Sequence, residues 1–500
     1  MIKKIRFVLA VICFVAITVL FLDVTGNAND YLGWLAKLQF VPAILSLNLL
    51  ALVFLILLAL VFGRIYCSVI CPLGVMQDVI NWFRSKVGPK KSRKNRFGYS
   101  APRTVIRIAV LVVFVALVAL GFMSIAALIE PYSEYGRIAS TFLAPIYDGG
   151  NNLLADMAQA RDSYAFHHVT PAAVMVPSLI VAGVTLLIVG GMAWFGGRDY
   201  CNTICPVGTV LGYISKYSWL KPVIDVSKCN GCKKCARNCK AKCIDPDAHT
   251  IDYTRCVACM DCLNNCSTGA IKYTSRRYSV KSDDKSKSSE VDASRRKFLS
   301  MGTVMAGAAL AKAEDKVTDG GFADILPKEK PARATRIVPP GALGISNLER
   351  HCTSCQLCIA SCPNGVLRPS MSLSTFMQPE VSYENGYCRP ECTECSSVCP
   401  TGAIIKIDKA EKSAIKIGNA VVDIDRCISA EGIDNCGNCA RHCPTGAIEM
   451  VSKDANDKRS PKMPVVNSSL CIGCGACENL CPVRPLSAIH VEGIEIHHNV

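Results

Sequence analysis

Apolar positions along this chain gather into four runs, residues 7–22, 41–62, 108–129 and 174–195, separated by polar and charged segments. At about 1.5 Å rise per residue, the longer runs match the roughly 30 Å hydrocarbon core of a bilayer as helices. The first is short, and Lys3, Lys4 and Arg6 on its flank also fit a signal peptide. No small-residue cleavage site follows, so it reads as an uncleaved anchor. The pattern predicts an α-helical transmembrane bundle of four spans.

Loop charge orients that bundle. Residues 63–104 hold nine Lys or Arg (Arg64, Arg84, Lys86, Lys90, Lys91, Arg93, Lys94, Arg96, Arg103) against one acid, whereas residues 130–173 hold two bases against five acids. The positive-inside rule makes the first loop cytoplasmic and the second external. Topology accounts for the basic loop, so no nucleic-acid partner is expected. His167 and His168 in the second loop read as solvated. A net charge of +15 on a chain that is half hydrophobic agrees with a membrane protein carrying basic loops.

A near-identical motif ends two of the runs: GRIYCSVICPLG, residues 63–74, and GRDYCNTICPVG, residues 197–208. Each holds a C-x3-C-P pair, Cys67 with Cys71 and Cys201 with Cys205. Each is followed by Pro72 or Pro206 and an apolar-periodic stretch, as though proline opened an interfacial helix. A helix N-terminus lowers a thiol pKa and favours thiolate. Four readings are open: the two pairs together bind one cluster or metal, they are a redox dithiol, they shape a quinone pocket, or they are buried structural cysteines. Arg64 and Arg198 read as snorkelling anchors.

Thirty cysteines far exceed packing needs. The spacing C-x2-C-x2-C-x3-C occurs at Cys229, Cys232, Cys235, Cys239 and again at Cys256, Cys259, Cys262, Cys266. In two-cluster ferredoxins the fourth cysteine of each run ligates the other cluster. The expected sets are therefore Cys229, Cys232, Cys235 with Cys266, and Cys256, Cys259, Cys262 with Cys239. Four more runs follow: Cys352, Cys355, Cys358, Cys362; Cys388, Cys392, Cys395, Cys399; Cys427, Cys436, Cys439, Cys443; and Cys471, Cys474, Cys477, Cys481. Crossing assigns Cys399 to the first, Cys362 to the second, Cys481 to the third and Cys443 to the fourth. Six 4Fe-4S clusters are expected. A zinc ribbon would use pairs and leave half of these cysteines idle. The widened first gaps at Cys388 and Cys427 change nearby amides and solvent access, and so shift potential. Cys13 and Cys243 are left over.

Between the arrays lies a polar tract, residues 276–293, that reads as a flexible linker. Residues 294–313, SRRKFLSMGTVMAGAALAKA, carry Arg295 and Arg296 before a Gly/Ala-rich apolar stretch and look like an internal twin-arginine signal or anchor. Such a signal exports folded, cofactor-loaded domains, and cysteines exported bare would meet disulfide formation before metal. The expected organisation is a transmembrane domain 1–222, a cytoplasmic ferredoxin 223–275, the linker, the signal helix and an exported ferredoxin domain 314–500, the ferredoxin modules being α+β and bacterial in type.

On these motifs the chain resembles two families end to end. Residues 1–275 are similar to the NapH/MauN-type membrane ferredoxins, related in motif to the NosR polyferredoxins, and residues from 294 on to the NapG/MauM-type periplasmic ferredoxins. The resemblance implies a fused, quinol dehydrogenase-like module in a bacterial inner membrane. It would pass electrons between the quinone pool and a periplasmic redox partner, a cytochrome or a reductase of nitrate-reductase type. About 30 Å of hydrocarbon would divide the two arrays, so a mobile quinone is expected to connect them. The competing readings are a conduit fed by a cytoplasmic ferredoxin and an accessory factor for maturing an exported metalloenzyme. No C-x-x-C-H haem motif and no G-x-G-x-x-G after a strand is present.

Overall fold

The computed structural model describes residues 2–22, 28–87, 97–163, 165–169, 175–275, 318–319, 323–324, 326–454 and 460–500. The expected linker and twin-arginine segment lie outside the described residues, as does the stretch 88–96 of the basic loop.

Two of the four apolar runs break. In the second, a short helix Phe40–Leu45 ends at Ser46, Leu47 takes a left-handed φ of 51°, and Asn48 accepts from Ala51 N to cap a new helix, Leu49–Phe62. In the third, Thr104–Ala119 stops before Gly121 at φ 85°, and only Met123–Ala126 and a 3₁₀ turn follow. Helices of 14 and 16 residues measure about 21 and 24 Å, short of the hydrocarbon core. Among the described residues, two helices are long and apolar enough to cross a membrane, Ile2–Leu22 and Val176–Gly196. The expectation of a four-span bundle is thus corrected to two candidate spans. Local punctuation at Leu47 and Gly121 interrupts runs whose composition alone reads as continuous.

The prolines after the paired cysteines do open helices, Pro72–Lys86 and Pro206–Ser215, with Cys71 and Cys205 at their N-caps. The loop expected to be external instead begins with a fully buried helix, Pro131–Ile138, capped by Glu130, whose side chain accepts from Ser133 N at 2.5 Å. Its aromatic face packs on Ile2–Leu22, with Tyr135 against Phe14 at 5.4 Å and Tyr132 against Phe21 at 5.6 Å between ring centroids.

The ferredoxin modules are loops and short helices clasped by two-stranded antiparallel sheets. In the first, Leu220–Ile224 pairs with Ile271–Ser275, and Ile244–Asp245 pairs with Thr250–Ile251. In the C-terminal module Ile415–Val422 pairs with Ile489–Asn499, and the Ile448–Ser452/Lys462–Val466 hairpin lies between them in sequence. The first ferredoxin keeps its own small core around Ala241, Ile244 and Val257. By contrast, one continuous apolar core runs from Ile17 and Phe21 through Tyr66 and Tyr135 to Leu348, Leu357 and Val491. The C-terminal module is therefore packed onto the helical half rather than tethered beside it.

Candidate iron–sulfur sites

Within the arrays, residues between the cysteines adopt left-handed backbone conformations. Met260, Ser354 and Gln356 have φ of 61°, 52° and 65°, values non-glycine residues rarely hold without a reason. The turn aims backbone N–H groups at sulfur: Ser354 N lies 3.4 Å from Cys352 Sγ, Ile404 N 3.4 Å from Cys399 Sγ, and Ala447 N 3.3 Å from Cys443 Sγ. Amides so placed stabilise sulfur that carries negative charge.

Four pockets collect crossed cysteines. One holds Cys352, Cys355 and Cys358 with Cys399; a second Cys471, Cys474 and Cys477 with Cys443; a third Cys427, Cys436 and Cys439 with Cys481; and a fourth Cys256, Cys259 and Cys262 with Cys239. Cys395 is likewise set among Cys388, Cys392 and Cys362. Cys229, Cys232 and Cys235 sit together, while Cys266 stands near the surface with its sulfur 3.5 Å from Thr268 Oγ1. Four cysteines in one pocket are the donor set of a 4Fe-4S cluster, and among the described residues no group of three His, Cys, Asp or Glu is spaced to hold a single metal ion. Burial pushes the Cys439 thiol up to about 11 and Cys474 to about 12. Bare thiolates would be costly there, and bound iron removes that cost. Cys243, a leftover in the spacing, lines the Cys256 pocket with its sulfur 3.6 Å from Cys239 Sγ.

The two C-x3-C-P motifs meet. Cys67, Cys71, Cys201 and Cys205 are all buried, and the charge of each would act on others of the group across the repeat. The join is made by the two arginines, each reaching across the pseudo-repeat. Arg64 donates through Nη2 to Cys201 O at 3.1 Å and Arg198 through Nη1 to Cys67 O at 2.9 Å. The same nitrogens lie 3.9 Å from Cys67 Sγ and Cys201 Sγ, respectively. Gly74 and Gly208 make room, because a Cβ at either would strike the carbonyl oxygen of the first cysteine of its own repeat, Cys67 or Cys201, and the arginine reaching in from the other repeat. Gln77 Nε2 donates to Cys201 Sγ at 3.2 Å, and Gly208 N to Cys205 Sγ at 3.3 Å.

Both arginines are completely buried, so the snorkelling reading is replaced by one in which they face sulfur. Burial also pushes the Cys71 and Cys205 thiols well up, outweighing the helix N-termini expected to lower them. Arg198 is balanced by Asp78, which contacts Arg198 at 2.9 Å, Lys240 at 3.0 Å and Arg6 at 3.5 Å. Burial alone would raise the Asp78 carboxyl, but Arg198 and Lys240 hold it well below the usual range. Sequence reasoning missed Asp78, although it is the single acid of the basic loop.

The repeat site touches the first ferredoxin on one side. Arg64 Nη1 donates to Thr254 O at 3.1 Å and to Asn202 Oδ1 at 2.7 Å, and Asn202 Nδ2 donates to Ala241 O at 3.2 Å. Arg198 N bonds Lys240 O at 2.8 Å. These partners lie one or two residues from Cys256 and Cys239.

Comparison with known proteins matches two parts of the chain. The family described as a 4Fe-4S binding domain matches residues 46–90 and 177–226, the two C-x3-C-P repeats, and a 4Fe-4S dicluster domain matches residues 351–403 and 434–484. The methylamine utilization ferredoxin-type protein MauM of Paracoccus denitrificans is 31% identical over 172 residues, 32% of this chain and 75% of that protein. The ferredoxin-type protein NapG of Escherichia coli is 28% identical over 31% of this chain and 70% of its own length. The methylamine utilization ferredoxin-type protein MauN of Paracoccus denitrificans is 22% identical over 46% of this chain and 65% of its own. No solved structure matches the chain with comparable significance. The chain belongs to the ferredoxin-type proteins of the Mau and Nap kind, iron–sulfur electron-transfer proteins that bind 4Fe-4S clusters.

Proposed function

We propose that this chain is a membrane-associated, quinol dehydrogenase-like electron-transfer protein, a MauN/NapH-like first half fused to a MauM/NapG-like second half. It holds six 4Fe-4S clusters on the crossed cysteine sets and a seventh on Cys67, Cys71, Cys201 and Cys205. Bound clusters would supply one-electron carriers; the chain supplies thiolates, amides and buried cations that hold them and tune their potential. The observation that carries the reading is the crossing itself. Cysteines far apart in sequence share pockets in the pattern a two-cluster ferredoxin requires, and the repeats close on each other through paired arginines.

Membrane association is supported by the two long helices, whose apolar windows are 28% and 22% buried, so most of their side chains face outward, unlike those of a core helix. The exported disposition of the C-terminal module and a periplasmic cytochrome or reductase as its partner rest on the twin-arginine-like stretch 294–313 and on the family resemblance of the sequence motifs. Anaerobically purified chain in detergent, mixed with menaquinol or ubiquinol, should show bleaching of cluster absorbance and rising EPR signals. Full retention of the oxidised spectrum with both quinols, at potentials where dithionite reduces the clusters, would overturn the quinol reading.

A further inference from the structure

The C-terminal module does not hang free of the helical half, and the contact between them is built on one buried helix. Pro131–Ile138 has every residue buried. One side meets the repeat site: Tyr200, the residue before Cys201, hydrogen-bonds through its hydroxyl to Glu134 Oε1. The other side meets the first C-terminal pocket. A Cβ on Gly136 would run into the Cys355 carbonyl oxygen, and Ser140 Oγ lies 3.0 Å from Gln356 Oε1. Nearby, Ser124 Oγ donates to Ser374 O at 2.9 Å. From Glu134 to Gly136 is two residues, about 3 Å along the helix axis.

Resting on the shared-site reading above, we infer that helix Pro131–Ile138 is the electronic bridge between the repeat site and the Cys352, Cys355, Cys358, Cys399 pocket, so that electrons cross between the halves within one chain. With clusters bound, the repeat site would lose one electron and the pocket gain one, with no bond formed or broken; each quinol oxidised would supply two electrons, passed on one at a time, and release two protons to water. The connection consists of one tyrosine ring, one hydrogen bond, two helical residues and a backbone contact. This replaces the mobile quinone that the sequence made necessary between the two arrays. Beyond the entry pocket the route continues through Cys388 N, which bonds Cys474 O at 2.9 Å, toward the Cys427 pocket, whose Cys427 and Cys436 are less buried.

The test is EPR power saturation of the full chain, reduced anaerobically, with the entry-pocket signal assigned by its loss in Cys352→Ser. In the wild type that signal should relax fast and be broadened by spin coupling to the repeat site. In Cys67→Ser with Cys201→Ser it should narrow and saturate at least ten-fold more easily while the array iron is retained. Gly136→Ala, which wedges helix and module apart, should weaken the coupling with the iron content unchanged. If the double variant loses iron but the entry-pocket relaxation does not change, the bridge is wrong and the shared site stands. If the double variant loses no iron, the shared site itself fails. Should Gly136→Ala not fold, the comparison of wild type with the double variant still decides.

Discussion

The arrays and the repeat site solve the same problem, gathering four cysteines, with electrostatics of the same sign and different strength. In the arrays sulfur is approached by backbone N–H groups, as at Cys352, Cys399 and Cys443. At the repeat site it is approached by two buried guanidiniums, one with a carboxylate partner and one held mainly by neutral oxygens. Amides contribute partial charges fixed by the fold, whereas guanidiniums contribute whole ones. Net charge and hydrogen bonds to sulfur are what the protein uses to set cluster potential, so the repeat site should sit above the arrays in potential. Transfer from the repeat site to the Cys352 pocket is then an uphill step that onward transfer to a redox partner must pull forward.

That contrast can be broken most severely at Asp78. Asp78→Asn would leave Arg198, Lys240 and Arg6 around a neutral side chain in a buried site, a loss of about 3–5 kcal/mol that chemical denaturation should read directly. The same carboxylate predicts a pH dependence. Its folded pKa is depressed, so its stabilisation is complete above the unfolded value of about 3.9 and drains away as pH falls below it toward the folded value. Asp78→Asn should flatten that acid limb of the stability profile.

A smaller effect is expected at Arg64. Arg64→Met removes the cation beside Cys67 and should lower the repeat-site midpoint potential by more than about 59 mV, a factor of ten for one electron. The entry-pocket potential should stay fixed in the same redox titration. Smaller again is Lys412→Met in the C-terminal array, where a buried ammonium acts on Cys388 and donates to Arg389 O at 2.8 Å. It should lower only the potential of the Cys388 set, and by less than Arg64→Met. Least is Gln77→Leu, which deletes one neutral hydrogen bond to Cys201 Sγ, worth about 0.5–1.5 kcal/mol; its shift should be a fraction of the Arg64 shift.

Most array groupings were legible because two- and three-residue gaps leave the chain little choice about which sulfurs converge; even the widened gap before Cys436 leaves its set together, and Cys266, near the surface beside Thr268, is the exception. The repeat site was half legible. The motif declares itself twice, but whether its copies meet depends on contacts such as Arg64 to Asn202, 138 residues apart. An arginine at the edge of an apolar run looks the same in sequence whether it snorkels or turns inward. The spans were over-read for a local reason, a left-handed Leu47 and a Gly121 turn inside apolar runs. Helix Pro131–Ile138 was hidden by its own charges. Glu130, Glu134 and Arg137 count as loop residues until Tyr200 and the Ala127 and Leu128 carbonyls are seen to satisfy two of them.

The central claim, that both repeats build one centre, is tested most directly by counting iron and acid-labile sulfide in anaerobically purified wild type and in the Cys67→Ser, Cys201→Ser variant. The account predicts a loss of about four iron and four sulfide per chain, with the midpoint potentials of the arrays unmoved in an EPR redox titration. Equal iron and sulfide in both proteins would contradict it.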